Sequence, residues 1–130
     1  MKPIPYEKAS PDVKAVFDDI KATRKVADVN NFWKMLANEP VMLEQTWRTV
    51  KAVMANGALD AKLKELIYVA VSVTNNCEYC MASHTAAARA KGATDAELNE
   101  LYAVVALANM TNRLANAYKP EVDAAFREHG

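Results

Sequence analysis

Three glycines in 130 residues (Gly57, Gly92 and Gly130) leave this chain few means of making tight β-hairpins. Two-residue hairpin loops need positive φ, which glycine and asparagine supply most readily. The single Asn-Gly pair, Asn56-Gly57, falls between two stretches of helical periodicity and not between alternating strands. Alanine, the best helix former, is the commonest residue. No repeat or low-complexity tract interrupts the pattern. The sequence predicts an all-α fold, a small bundle of about six helices in one domain over residues 1–130. With 52% hydrophobic and 25% charged residues, the chain can bury a core without disulfide staples.

Start and stop signals divide the chain. Ser10-Pro11 is a cap followed by a first-turn proline, and Val13, Val16, Phe17 and Ile20 then share one apolar face. A short helix is expected over 31–37. Pro40 opens another to about residue 55, with Met42, Leu43, Trp47, Val50 and Met54 inward and Gly57 as the stop. Asp60 caps a helix over 61–74 that is apolar nearly all round, through Leu63, Leu66, Ile67, Val69, Ala70, Val71 and Val73. That profile suits the centre of a bundle. Asn75-Asn76 break it, and the next helix runs over 77–91 to a Gly92 cap. Thr94 with Glu97 forms a capping-box pattern for a helix carrying Leu98, Leu101, Val105 and Leu107 towards Tyr118. Pro120 starts a short terminal helix.

Sixteen basic and sixteen acidic residues cancel, so there is no electrostatic footprint for nucleic acid or an anionic membrane. The longest uncharged apolar stretch, about 66–73, is too short to span a bilayer. Residues 1–10 hold three charges and two prolines, unlike a secretory signal. A cytoplasmic location is expected. In a reducing compartment a lone cysteine pair points to redox or metal chemistry more than to a staple.

That pair is Cys77 and Cys80, at the start of a helix, with His84 one turn further on. Positions 77, 80 and 84 share a face. The helix N-terminus favours thiolate, and an imidazole four residues away can take the thiol proton. These are the needs of a nucleophilic cysteine. Thioredoxin also uses C-x-x-C, but behind a strand in a βαβ frame, and no strand pattern precedes the motif here. Glu65 is the last charge before the apolar run. In an antiparallel hairpin about Asn75-Asn76 its axial offset from His84 is about 3 Å, within a side chain's reach. The carboxylate would then orient His84 and raise its basicity.

Plainer readings exist for each residue. Cys77 and Cys80 also suit small buried hydrophobes. Zinc on Cys77, Cys80 and His84 would want a fourth ligand, and the only other histidine is His129 near the C-terminus. Glu65 beside Lys62 and Lys64 also fits a solvated first turn. Trp33, Met35, Met42, Trp47 and Met54 fall at helical spacing and read as core. For the thiols themselves, helix-dipole reasoning favours Cys77 as the more acidic, whereas proximity to His84 favours Cys80.

Glu65, eleven residues, Cys77-x-x-Cys80, three residues, His84: this spacing resembles the signature of alkylhydroperoxidase-D-like proteins in the carboxymuconolactone decarboxylase family. The segment LKELIYVAVSVTNNCEYCMASHTAAARAKGATDAEL, from Leu63 to Leu98, is similar to that family's core, and the likeness extends weakly into the Pro40 helix and NMTNRLANAY. The resemblance implies an all-α homo-oligomer, often a trimer or hexamer, and a cysteine-dependent peroxidase without metal, haem or other cofactor. It implies Cys80 as the peroxidatic thiol, Cys77 as its resolving partner, and His84 and Glu65 as a proton relay. Tyr79 matches a common family residue. The decarboxylase branch generally lacks the pair.

The expected function is thus reduction of a small hydroperoxide through a Cys77–Cys80 dithiol/disulfide cycle, with an external dithiol or thiol protein as reductant. The alternatives are a lactone decarboxylase using His84 and Glu65 as acid and base, and a non-enzymatic redox-sensing oligomer.

Overall fold

A computed structural model describes residues 1–127, so His129, weighed above as a fourth zinc ligand, lies outside the described residues. Among them every element is helical: one 3-10 turn at Tyr6–Lys8, then α1 (Pro11–Arg24), α2 (Asn31–Leu36), α3 (Pro40–Met54), α4 (Ala61–Thr74), α5 (Glu78–Ala90), α6 (Asp95–Tyr118) and α7 (Ala124–Arg127). The seventh helix is the four-residue terminal one, which begins four residues after Pro120. No helix among the described residues is long and apolar enough to cross a membrane. The chain divides into two compact units, Met1–Ala55 and the part from Asn56 onward.

In the first unit the sequence signals act as expected. The Ser10 hydroxyl accepts the Val13 N–H, Pro11 sits in the first turn, and α1 ends at Lys25 in the left-handed region. Val13, Phe17 and Ile20 close over Val29, Trp33, Ala37, Leu43 and Trp47 to form one apolar core. The rings of Trp33 and Trp47 meet edge to face at 5.5 Å, a geometry that suits the quadrupoles of both. Trp47 donates its indole N–H to Asp19 at 2.7 Å, and Lys51 pairs with the same carboxylate. On α3 the buried stripe is narrower than expected. Leu43 and Trp47 are sealed one turn apart and Val50 packs beside them, but Met42, 100° round the helix from Leu43, is half exposed.

The second unit is built on a hairpin. Asp60 accepts the Leu63 N–H at 2.8 Å to open α4. Asn75 and Asn76 turn the chain, Asn76 in the left-handed conformation that asparagine tolerates. Cys77 then caps α5, which packs along α4. Gly92, at φ +92°, carries the chain away from α5 in a conformation an L side chain would strain. Thr94 and Glu97 form the reciprocal capping box, and α6 continues unbroken to Tyr118. The central helix differs from expectation. α4 contacts α5 and α6 within its unit, yet what it buries is Glu65, Val69 and Ser72. Leu63, Ile67 and Val71 are exposed, as are Val104, Leu107 and Leu114 on α6. Two neighbouring helices cover only part of a helix's circumference, so a sequence apolar all round keeps an uncovered side.

Candidate active site

The first turn of α5 carries the sulfur chemistry. Cys77 occupies the N-cap, where its Sγ accepts the Cys80 N–H at 3.3 Å. The two sulfurs are joined in a disulfide, with Cα atoms 5.2 Å apart. Both residues are partly buried. The helix terminus therefore acts on the Cys77 sulfur through a specific N–H, while Cys80 lies inside the first turn with His84 four residues on.

Beneath this turn α4 supplies a buried carboxylate. Glu65 is 6% exposed, a position where an unpartnered charge would be costly. Its Oε2 lies 2.7 Å from His84 Nδ1, and its Oε1 accepts from Lys91 Nζ at 3.2 Å. The hairpin register thus delivers the Glu65–His84 contact that the axial offset suggested. Burial pushes the Glu65 carboxyl up, but the hydrogen bonds from His84 and Lys91, with the positive charge of Lys91, outweigh it and hold the group below its usual value. An ionised carboxylate only accepts, so Nδ1 carries the ring proton and Nε2 is the atom left with a free lone pair. Tyr68, one turn after Glu65, stacks on the imidazole with centroids 3.6 Å apart and planes 18° from parallel.

The structure brings the four candidates, Cys77, Cys80, His84 and Glu65, onto one helical hairpin, and it removes the solvated-turn reading of Glu65. Lys62, the neighbouring cation on α4, goes elsewhere, to Glu97 at 2.8 Å, and helps hold that carboxyl down at about 2. Sequence reasoning missed Lys91 and Tyr68. In the sequence Lys91 reads as the last residue before the Gly92 cap, and Tyr68 as part of the apolar run. The available signal was helical spacing: Lys91 is two turns past His84, and Tyr68 is three residues past Glu65. Among the described residues no cluster of three or more histidine, cysteine, aspartate or glutamate side chains is arranged to hold a metal ion.

Comparison with known proteins places this arrangement. The solved alkylhydroperoxidase AhpD core of Rhodospirillum rubrum is similar to the chain at 56% identity and a TM-score of 0.86, over 89% of this chain and 86% of that one. An uncharacterized protein from the cox locus of Paracoccus denitrificans is 38% identical over 80 residues, 58% of this chain and 72% of its own length. One from Cupriavidus necator is 31% identical over 81 residues, 62% and 72% respectively. Residues 40–120, which include α4, α5 and every residue of the cluster above, match the model of the carboxymuconolactone decarboxylase family. The chain is an AhpD-like member of the carboxymuconolactone decarboxylase family.

Proposed function

We propose that this protein is a thiol peroxidase that reduces small hydroperoxides through Cys80 and Cys77. His84, with Nδ1 bound to Glu65, takes the Cys80 proton. The thiolate attacks the terminal peroxide oxygen, the O–O bond breaks, and Cys80 becomes a sulfenic acid. The departing alkoxide leaves as alcohol with the proton returned by His84. The Cys77 thiol then attacks the sulfenic sulfur, forming the disulfide and expelling water. An external dithiol, or a thiol protein, reduces that disulfide by two exchange steps and is itself oxidised. No metal or cofactor enters these steps.

The observation that carries this reading is the 2.7 Å Glu65–His84 contact on the helix whose first turn holds the disulfide. A C-x-x-C pair alone suits disulfide exchange. A buried carboxylate–imidazole pair beside it is equipment for moving a proton. The apolar residues exposed on α4 and α6 support a homo-oligomer as the working form, and the family resemblance implies a trimer or hexamer.

The test is hydroperoxide consumption by the reduced protein with dithiothreitol. The expected result is loss of two thiols per peroxide and repeated turnover while dithiol lasts. Two thiols lost once without turnover would make the pair a sensor. Thiols that survive peroxide would overturn the reading and leave the lactone chemistry of His84 and Glu65 to be assayed.

A further inference from the structure

We propose that Lys91 is a positioning residue of this site: its ammonium group occupies Oε1 of Glu65, leaving Oε2 to orient His84 through Nδ1. The inference deepens the peroxidase reading and rests on it for its effect on the thiols, but Lys91's hold on Glu65 can be tested without them.

The geometry singles out Lys91 among the cations nearby. It closes α5, with its backbone N–H bonded to the carbonyls of the preceding turn, and the chain departs at once through Gly92. That fixes the root of the side chain two turns from His84 on the same helix, and Nζ reaches Glu65 from there. A cation in this last turn also suits the negative end of the helix. Two other cations of the hairpin pair away from Glu65. Arg89 on α5 pairs with Asp95 at 2.6 Å, and Lys62 on α4 pairs with Glu97 of α6 at 2.8 Å. From α5 the groups bonded to Glu65 are the His84 imidazole and the Lys91 ammonium. From α4 itself Tyr68 reaches the relay, on the imidazole face.

The chemical need is specific. A carboxyl in a buried place drifts towards its neutral form, and a neutral carboxyl can either donate to Nδ1 or accept from it. The tautomer of His84 would then be unset, and with it the atom that takes the thiol proton. A fixed ammonium on the second oxygen keeps the group an acceptor. Lys91 itself, 39% exposed at its side chain, stands at the rim of the site.

The experiment compares wild type, Lys91→Gln and Lys91→Arg. In the oxidised proteins, 13C-glutamate NMR follows the titration of Glu65, its resonance assigned by its loss in Glu65→Gln. In the reduced proteins, iodoacetamide alkylation is followed against pH. Lys91→Gln removes a downward pull while burial remains, so the Glu65 midpoint rises, by about one pH unit. The acid limb of alkylation should rise with it, and Lys91→Arg should return both. A Glu65 midpoint that stays put in Lys91→Gln overturns the inference, whatever the thiols do. A midpoint that rises while the alkylation profile stays fixed upholds the hold of Lys91 on Glu65 and overturns the relay in the proposed function.

Discussion

In the first unit Phe17, Ile20 and Leu43 are completely enclosed and two tryptophans meet edge to face, whereas the second encloses Glu65 and Ser72 and, among the large apolar side chains of its described residues, only Val69 to the same degree. The first unit turns Val13, Phe17, Ile20, Leu43 and Trp33 inward and ties a polar rim, Asp19, Lys51 and the Trp47 indole N–H, around them. The second places a charge at a core position of α4 and leaves Leu63, Ile67 and Val71 outside. The contrast separates two ways of using a helix. One interior supplies stability through area removed from water; the other holds a carboxylate where solvent cannot compete for it, and its charge then depends on two named donors.

The largest effect is expected at Phe17. Phe17→Ala should lower stability by about 3–5 kcal/mol, read from denaturant unfolding, because a sealed aromatic leaves a cavity that its helix neighbours fill only partly. A loss under about 1 kcal/mol would mean the first unit is not held by its apolar core.

Next in size is Glu65→Gln, which keeps the volume but not the charge. Thiol alkylation at neutral pH should slow by about 10- to 100-fold if general-base help is lost. The pH dependence has a definite sign. The folded-state pKa of Glu65 lies below its ordinary 4.5, so the folded protein binds that proton less readily than the unfolded chain. Its contribution to stability is complete above about pH 4.5 and is lost as pH falls through the depressed value. Acid denaturation should therefore show a component that Glu65→Gln abolishes.

The smallest effect belongs to the surface. Arg48 and Glu44 pair at 3.6 Å with side chains 72% and 51% exposed, and Arg48→Ala should change stability by less than about 0.5 kcal/mol. A larger shift in the unfolding midpoint would show that the outer face of α3 does more than meet solvent.

Legibility in the sequence follows the same division. Caps and periodicity placed the helices within a few residues, because Ser10, Pro11, Asp60, Thr94 and Glu97 act through local backbone groups. The Glu65–His84 contact was readable because a short turn fixes the axial register of a hairpin. What remained hidden depended on rotation about the helix axis and on side-chain reach. Spacing alone does not say that Lys91 leans back to Glu65, that Tyr68 covers His84, or that Ile67 and Val71 face outward. Nor does an apolar-all-round pattern say how many neighbours a helix will find within its own chain.

Which sulfur meets peroxide decides the proposed chemistry. Cys77→Ser and Cys80→Ser, reduced and treated with one equivalent of hydroperoxide and a dimedone-type probe, should be read by mass spectrometry. Cys77→Ser keeps Cys80 one turn from His84 and lacks a resolving thiol, so it should stall as a sulfenic acid trapped on Cys80, while Cys80→Ser reacts far more slowly. Trapping on Cys77 in Cys80→Ser instead, with Cys77→Ser inert, would show that the helix N-cap and not the Glu65–His84 pair activates the nucleophile.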